Sequence, residues 1–403
     1  MNILCINSYD CSPASGGGVN RIVYVLSRYF MEQRGFNCFF GYYYDHPARP
    51  LAEFAGRIKL CKNFDAPAFE SFISENKIDV IQINFLKKEN LCTIPQIYQI
   101  AHKHNVKVLY CLHVCPGFET VTYGSWERVK FSITHHDHPM RELKRWMITA
   151  TKPLLRPISD RLIRNKYLIP YQNCDRVVVL SQFYKEPYAR IAGVKDLTKF
   201  DAIGNALTFK EYASEEDIAN KKKEVLIVAR FDEFSKRISL ALKVWRKIEK
   251  DPRLNDWELT LVGSGEAENF YKYLVGKWQL KRVNFTGHQN PIEYYRRASI
   301  FLMTSSAEGW GMTITEAMQM GVPTIAFDSF GALYDMIQDE YNGYIVPNNN
   351  ISAFSQKLTE LMMNDTIRRG MCINAVNSSK TFEIEKVAKK WIKIFDKLAA
   401  SRK

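Results

Sequence analysis

Short apolar runs alternate with longer amphipathic segments along almost the whole chain. Apolar runs bounded by turn residues predict buried strands, and apolar positions with a helical period predict helices between them. This alternation indicates βαβ units on a parallel sheet, and therefore an α/β fold. The predicted strands are Asn2–Ile6, Phe36–Tyr42, Asp79–Ile83, Val106–Leu112, Arg176–Ser181, Glu224–Arg230, Glu258–Val262, Val283–Thr286, Ile300–Thr304 and Pro323–Phe327. The predicted helices are Val19–Gln33, Ala66–Asn76, Ile94–Asn105, Ile238–Lys250, Glu266–Lys277, Pro291–Arg297, Thr313–Met320 and Leu333–Gln338.

A polar stretch at 206–223 interrupts this alternation and offers little to a core. We therefore predict two similarly built α/β domains, 1–205 and 206–382, with a hinge between them. The remaining segment, 383–403, contains a predicted amphipathic helix, Glu383–Ala400, with Trp391, Ile394 and Phe395 on one face.

The composition is that of a globular chain of two or three domains. The 403 residues are 46% hydrophobic and 25% charged, which excludes a disordered chain, a collagen-like repeat and a small disulfide-stapled scaffold. The formal charge is +13, and it is uneven: residues 1–200 hold 27 basic and 17 acidic side chains, whereas 201–403 hold 29 and 26. The first half is thus expected to face a membrane surface, a phosphorylated substrate or nucleic acid.

Nine scattered cysteines without a C-x-x-C motif indicate neither a zinc site nor a disulfide framework. The first residues lack the basic leader of a signal peptide, and no apolar run approaches the length of a spanning helix. A reducing, cytoplasmic compartment is expected.

Segment 126–170 departs from the α/β pattern because basic residues are interleaved with apolar ones. Such a basic amphipathic insertion fits a membrane surface. A solvated pair of helices that caps the sheet fits the same pattern equally well.

Two stretches could bind an anion. The turn that contains Gly17 and Gly18 lies between a strand and a helix, where backbone N–H groups can approach a phosphate, although a tight turn alone accounts for the glycines. Arg230 and Lys236 flank the carboxyl end of the first strand of the second domain, where open α/β sheets bind ligands. A diphosphate would suit two converging cations, and two solvated cations are equally consistent with the charge.

The most distinctive stretch is Ser305–Glu316, in which a strand leads through a glycine-containing loop into a helix. Glu308 in the loop and Glu316 in the helix can border one cleft, together with the N–H groups of Gly311, Met312 and Thr313. The alternative for Glu316 is a capping box with Thr313, which needs no ligand.

His113 ends the strand Val106–Leu112 and is a candidate for the same cleft, although a lone histidine is more often structural. His135, His136 and His138 are adjacent in sequence and so favour a surface or phosphate-contacting patch over a metal site. No D-x-D motif occurs, which argues against a carboxylate-held magnesium ion. No metal site is predicted.

Together these motifs resemble glycosyltransferase family 4, retaining nucleotide-sugar-dependent enzymes of the GT-B fold. The matching residues follow the family order along nearly the whole chain. They are Gly17-Gly18-x-x-Arg21, His113, Ser181, Asn205, Arg230 with Lys236, Gly263-Ser264-Gly265, Gly287, Glu308-x7-Glu316, Gly321-Val322-Pro323, Gly331 and Asn342-Gly343.

The resemblance implies two Rossmann-like lobes that face a central cleft, with the acceptor bound by the N-terminal domain and the nucleotide sugar by the C-terminal one. The final helix would cross back onto the first lobe. Catalytic roles would fall to His113, Arg230, Lys236 and Glu308, with the two cations on the diphosphate. Donor binding would fall to Gly17, Gly18, Gly311, Met312, Thr313 and Glu316, the last on the ribose hydroxyls.

The function implied is transfer of a hexose-type sugar from a nucleotide-diphosphate sugar, with UDP expected, to a glycan or lipid-linked acceptor in surface polysaccharide biosynthesis. The nucleotide sugar is a substrate, so no cofactor is expected, and the enzyme would be metal-independent. An anionic membrane surface is a candidate partner, which would place the protein peripherally on the inner face of the cell membrane. A soluble transferase that forms a small glycoside is the alternative. Nucleic acid is not an expected partner, because only the net charge suggests it and the sequence contains no recognised nucleic-acid-binding motif.

Three positions depart from the family pattern. Ala229 and Arg237 stand where glycine is frequent, and Asp335 stands where glutamate is frequent. These changes affect details of donor contact rather than the reaction class.

Overall fold

The computed structural model describes residues 1–12, 18–45, 52–61, 63–84, 87–118 and 157–400. The chain divides into two compact units. The first contains Met1–Gly117, Leu155–Thr208 and Phe382–Lys403, and the second is built on Phe209–Thr381. Each unit has its own parallel sheet, so the predicted α/β fold with two Rossmann-like domains is confirmed.

The first unit holds a seven-stranded parallel sheet. The strands are β1 (Asn2–Tyr9), β2 (Asn37–Tyr44), β3 (Gly56–Lys59), β4 (Val80–Asn84), β5 (Lys107–Leu112), β6 (Arg176–Val179) and β7 (Phe200–Ala202). They are arranged in the order β3-β2-β1-β4-β5-β6-β7. The central strands are buried on both faces, as in β1, where Ile3, Leu4, Cys5 and Ile6 are almost inaccessible. The helices are Gly18–Arg34, Ala66–Glu75, Ile94–Lys103 and Lys185–Ala192, and residues 157–173 are also helical; 3₁₀ turns occupy Lys88–Thr93 and Gln182–Tyr184.

The second unit holds a six-stranded parallel sheet. Its strands are β8 (Glu224–Val228), β9 (Glu258–Val262), β10 (Val283–Gly287), β11 (Ile300–Met303), β12 (Thr324–Asp328) and β13 (Gly343–Pro347). They are arranged in the order β10-β9-β8-β11-β12-β13. Its helices are Glu215–Ala219, Glu233–Lys236, Ile238–Ile248, Glu268–Lys277, Ile292–Arg297, Met312–Gln319, Leu333–Met336, Ile351–Met363 and Asp365–Ser379, with 3₁₀ turns at Pro252–Leu254 and Lys380–Phe382. Trp245, Trp257 and Tyr271 are the largest fully buried side chains of its core.

Strand order reverses once in each sheet, between β1 and β4 in the first and between β8 and β11 in the second. In open α/β sheets, ligands bind beyond the carboxyl ends of the strands at such a reversal. The segments after β8 and β11 contain Lys236 and Glu308, and the segment after β5, next to β4, contains His113.

The last helix, Ile384–Ala400, belongs to the first unit, as predicted for a helix that crosses back. It packs on the helix Gly18–Arg34, with the rings of Phe30 and Phe395 5.7 Å apart and edge-on. Trp391, Ile394 and Phe395 are buried, as their shared face predicted.

Several elements were not predicted from the sequence. They include the strands β3, β7 and β13 and the helices Lys185–Ala192, Ile351–Met363 and Asp365–Ser379. Each of the three strands is an outermost strand of its sheet and has a neighbouring strand on one side only. Short edge strands carry little of the continuous apolar pattern that marks a buried strand.

Candidate functional site

The loop after β8 is held in place by a close approach to the loop after β9. Phe231 N donates to Ser264 O at 2.9 Å, and Phe231 is fully buried. At Gly263, where φ is +143°, an ideal Cβ would lie 1.8 Å from Ala229 O. Only glycine fits there, because that backbone conformation and that space both exclude a side chain. The Gly263-Ser264-Gly265 motif therefore fixes the path of the chain that leads to Lys236.

A short helix, Glu233–Lys236, carries Lys236 at its last position. Asp232 caps it: Phe234 N donates to Asp232 Oδ1 at 3.1 Å, and Ser235 Oγ donates to Asp232 Oδ2 at 2.7 Å. Capping of this kind satisfies N–H groups that have no partner within the helix. Lys236 is thus presented from a rigid turn just beyond the carboxyl end of β8.

Arg237 follows in the left-handed conformation, with φ of +50°. Its guanidinium donates from Nε to Thr304 O at 2.8 Å and from Nη2 to Ser305 O at 2.7 Å. Nη1 donates to Asn349 Oδ1 at 2.9 Å. Glycine, which the resemblance to family 4 led us to expect here, adopts this region without strain. In this chain the arginine offsets the strain by tying the segment to the end of β11. The sequence analysis did not predict this role of Arg237. The arginine in place of the expected glycine was the feature that could have indicated it.

Lys236 and Glu308 form an ion pair between the two loops. Glu308 Oε1 accepts hydrogen bonds from Lys236 Nζ and from Ser305 Oγ, the latter at 2.7 Å. The side chains of Lys236 and Glu308 are 23% and 16% exposed, so the pair is largely buried but still accessible to solvent. A small cavity beside it is lined by residues that include Ala229, Lys236, Thr304, Ser305 and Thr313. The structure thus brings Lys236, Glu308 and Thr313 to one place.

The helix Met312–Gln319 begins next to this pair. Gly311 is its N-cap residue, with φ of +93°, and no side chain caps the helix end. The capping box of Thr313 and Glu316 was therefore a wrong alternative, because Thr313 already lies inside the helix. The leading N–H groups of Met312 and Thr313 lie in the first turn, whose donors have no intrahelical partner and carry the positive end of the helix dipole.

Glu316 lies further along the same helix and is 4% exposed. Its Oε2 accepts a hydrogen bond from the hydroxyl of Tyr295 at 3.1 Å. Tyr295 is fully buried and packs on Phe301 of β11. The carboxylate is therefore oriented by the core, a role for Tyr295 that the sequence did not reveal.

Arg230 lies at the same edge but makes a different contact. Its side chain is 74% exposed, and Nη2 lies 3.4 Å from Asp232 Oδ2. Each of the two predicted cations thus has a carboxylate partner, Asp232 for Arg230 and Glu308 for Lys236. Surface pairs such as the first are weak and reorganise readily.

In the first unit, His113 is buried at the carboxyl edge of the sheet. Its Nε2 lies 3.1 Å from Asn84 Oδ1, which also accepts from Gln82 Nε2 at 2.8 Å. An amide oxygen only accepts, so Nε2 of His113 carries the proton and Nδ1 is left as an acceptor. Burial lowers the pKa of His113 to about 4, so the ring is neutral at physiological pH. Asn84 and Gln82 were missed because the sequence does not show which residues neighbour His113.

An aromatic pair lies at the same edge of the first sheet. Tyr9 and Tyr44 end the neighbouring strands β1 and β2, with ring centroids 5.5 Å apart. Lys87 Nζ lies 4.5 Å from each ring centroid, and the hydroxyl of Tyr44 donates to Glu89 Oε1 at 3.2 Å. Tyr9 is 40% exposed. This cluster presents apolar ring faces and charged groups together, and the sequence did not predict it.

Some candidates fall partly or wholly outside the described residues. Gly17 and the histidines at 135, 136 and 138 lie outside them, and Gly18 is the exposed first residue of its helix. Among the residues that the structure describes, no three His, Cys, Asp or Glu side chains are grouped as metal ligands. Within the same part of the chain, no helix has the length and apolarity to cross a bilayer.

Residues 208–378 match the family model for glycosyl transferases group 1. This match covers almost all of Phe209–Thr381, where Lys236, Glu308 and Glu316 lie. The assignment to family 4 and the roles of these residues stay predictions.

Three curated relatives are named as glycosyltransferases. The chain is 28% identical over 58% of its length to an uncharacterized glycosyltransferase of Haemophilus influenzae and 27% identical over 57% to the amylovoran biosynthesis glycosyltransferase AmsD of Erwinia amylovora. It is 26% identical over 61% to the Campylobacter jejuni enzyme named GalNAc-alpha-(1->4)-GalNAc-alpha-(1->3)-diNAcBac-PP-undecaprenol alpha-1,4-N-acetyl-D-galactosaminyltransferase. The alignments span 65%, 64% and 66% of these relatives.

Solved structures share the fold at low identity. Sucrose-phosphate synthase from Thermosynechococcus elongatus aligns over 100% of both chains, with a TM-score of 0.74 and 19% identity. HepE of Anabaena in complex with UDP aligns over 98% of this chain and 100% of its own, with a TM-score of 0.69 and 14% identity. These similarities show a fold of the GT-B class.

Proposed function

We propose that this chain is a retaining glycosyltransferase. It moves a hexose-type sugar from a nucleotide-diphosphate sugar, with UDP as the nucleotide, to a glycan or lipid-linked acceptor in surface polysaccharide biosynthesis. The observation that carries the proposal is the Lys236–Glu308 pair next to the open N-terminus of the helix Met312–Gln319, at the strand-order reversal of the second sheet.

The chemistry of the step explains this arrangement. When the bond between the anomeric carbon and the diphosphate breaks, negative charge develops on the leaving phosphate oxygens. Preorganised cations and N–H dipoles stabilise such charge far better than mobile water does. The donors are Lys236, the N–H groups of Met312 and Thr313, and the exposed guanidinium of Arg230. We therefore propose that departure needs no metal ion.

Glu308, which also accepts a hydrogen bond from Ser305, holds Lys236 in position before the donor arrives. The donor diphosphate competes with Glu308 for the ammonium group, which leaves the carboxylate available to a sugar hydroxyl. Glu316, oriented by Tyr295, would accept hydrogen bonds from the ribose hydroxyls. We propose a same-face transfer in which the leaving phosphate takes the acceptor proton, so no protein nucleophile is assigned. The roles of His113, Gly17 and Gly18 toward the donor stay predictions.

The relatives and the exposed residues of the first unit support a glycan or lipid-linked acceptor. The Campylobacter jejuni relative is named for an undecaprenol-linked acceptor, and AmsD for polysaccharide biosynthesis. The described part of segment 126–170 exposes Ile158 and Leu162, by 60% and 46%, on either side of Arg161. Exposed apolar residues beside a cation suit the boundary of a bilayer. We propose a peripheral location on the inner face of the cell membrane.

A thermal-shift screen of UDP, GDP and ADP sugars, each with magnesium or EDTA, tests the donor. Ligand at about 100 times its Kd stabilises the folded state by about 2.7 kcal/mol. We expect a UDP-sugar to raise the Tm equally under both conditions, and NMR of the product to show the anomeric configuration of the donor retained. A rise only with magnesium would contradict metal independence. No rise with any nucleotide would contradict the donor site, and transfer only to small soluble sugars would favour a glycoside-forming transferase.

A further inference from the structure

The last helix, Ile384–Ala400, presents two chemically different faces. Its apolar residues Val387, Ala388, Trp391, Ile394, Phe395 and Leu398 are buried against the first unit. Its lysines are all exposed, and they are Lys386, Lys389, Lys390, Lys393 and Lys397. At about 100° per residue, these five positions fall within an arc of roughly 100° on the side away from the buried face. We refer to them as the lysine stripe.

The stripe is long and poorly neutralised. Lys386 to Lys397 spans about 16 Å along the helix axis. Lys386 pairs with Glu383 at 3.0 Å, whereas the described contacts include no salt bridge for Lys389, Lys390, Lys393 or Lys397. The helix itself contributes two acidic residues, Glu385 and Asp396, both to one side of the stripe. A row of like charges therefore faces outward without carboxylates interleaved.

The distribution of charge between the units gives the stripe its significance. Residues 209–381 contain 22 basic and 22 acidic side chains, so this part of the second unit is neutral. The whole excess of +13 lies in the rest of the chain, and 384–403 contribute 7 basic and 2 acidic residues to it. The small positive charge of the second half of the sequence is therefore concentrated in the last helix, which packs on the first unit.

We propose that the lysine stripe is a docking surface for an anionic lipid bilayer. The apolar face of this helix is already buried against Phe30, so it is not available to insert between lipids. Binding is therefore electrostatic, with each lysine near an anionic surface worth about 1 kcal/mol, a factor of about five in the partition coefficient. The choice of a bilayer over another polyanion rests on the proposed function, because a lipid-linked acceptor lies at a membrane surface.

Two matched triple variants test the stripe. K389Q/K390Q/K393Q removes the centre of the stripe. K243Q/K247Q/K250Q removes three exposed lysines from the helix Ile238–Ile248 and the turn that follows it, within the neutral part of the second unit. Sedimentation with vesicles of equimolar phosphatidylglycerol and phosphatidylcholine measures binding, with pure phosphatidylcholine vesicles as reference. We expect roughly a 10²-fold loss of partition for the stripe variant. The control variant should stay near wild type, and high salt should release the wild-type protein.

Three results would overturn the proposal. Equal losses in both triple variants would mean that net charge alone drives binding. Unchanged binding of the stripe variant would move the membrane contact to segment 126–170. Stripe-dependent binding to a DNA duplex with no binding to vesicles would replace the bilayer with nucleic acid. A Tm equal to wild type shows that the variants fold.

The donor screen without vesicles separates this inference from the proposed function. Nucleotide-sugar binding without vesicle binding rejects the stripe alone. Vesicle binding without any nucleotide-sugar binding rejects the transferase alone.

Discussion

Lys236 Nζ donates a hydrogen bond to Glu308 Oε1 across 72 positions of sequence, and the two residues come from loops that follow adjacent strands of the second sheet. The pair places a cation where a nucleotide diphosphate is expected. Ser305 Oγ also donates to Glu308 Oε1, so the carboxylate has a second partner besides the lysine.

Removing Lys236 or Glu316 should therefore disable transfer. We expect Lys236→Ala to lower kcat/KM by at least ~10²-fold, since it removes a charge that stabilises the leaving group. Glu316→Ala should lower kcat/KM by a comparable factor, because it removes the proposed contact with the ribose hydroxyls of the donor. The measurement is transfer from the UDP-sugar found in the thermal-shift screen. Lys243→Ala, an exposed lysine of the same unit, is the control, and near-normal transfer by Lys236→Ala or Glu316→Ala would remove that residue from the site.

Position 237 separates backbone strain from side-chain contacts. Arg237→Ala and Arg237→Gly both lose the hydrogen bonds to Thr304 O and Ser305 O, but only alanine keeps the strain of φ +50°. We expect the glycine variant to be more stable than the alanine variant by about 1 kcal/mol. Chemical denaturation measures the difference. An alanine variant as stable as the glycine variant would mean that the backbone there relaxes freely.

Gly263 should not tolerate a methyl group. In Gly263→Ala the new Cβ would overlap Ala229 O, so the loops after β8 and β9 must separate. We expect a loss of about 3 kcal/mol or more, together with weaker nucleotide binding. Gly276→Ala is the matched control, since a Cβ there meets nothing within 4 Å, and it should be neutral or stabilising. Equal stability of the two variants would contradict the close approach.

His113 predicts a pH dependence with a definite sign. Its pKa is lowered to about 4 in the folded state from an ordinary 6.5, so the unfolded chain binds the proton more tightly. The stability is fully present above pH 6.5 and is lost as the pH falls toward 4. Between pH 7 and pH 5 the loss due to His113 is about 2 kcal/mol.

Denaturation curves at both pH values, for wild type and His113→Gln, measure this slope, which the variant should reduce. By NMR, one of the eight histidine rings should not titrate between pH 5 and pH 8. A His113 signal that titrates near 6.5 would contradict the buried neutral ring.

The Tyr9–Tyr44 cluster predicts a selective effect on the acceptor. Tyr44→Ala removes one ring face and the contact with Lys87, at the carboxyl edge of the sheet of the first unit. If sugar rings of the acceptor stack there, KM for the acceptor rises several-fold, as expected for loss of about 1 kcal/mol of aromatic contact. KM for the donor should stay constant. Tyr334→Ala, a half-exposed tyrosine of the second unit, is the control. A parallel rise in both KM values would indicate a structural effect instead.

Most of the secondary structure follows from local pattern. The strand Glu258–Val262 was predicted with the bounds that the structure shows, and the helix Ile238–Lys250 ends two residues earlier than predicted. The helix is buried along its apolar face, and the strand is buried at every position after Glu258. The strand β7, three residues long, lacked such a pattern, since its pairing with β6 comes from tertiary contact.

For the candidate site, the sequence identified which residues carry charge and follow the ends of strands, as with Lys236, Glu308 and Glu316. It did not show that Glu308 pairs with Lys236, that Tyr295 orients Glu316, or that Asn84 fixes the tautomer of His113. Periodicity and turn chemistry are local properties, which neighbouring residues determine. Hydrogen bonds between distant loops depend on how strands are ordered in the sheet, and that order exists only once the chain has folded.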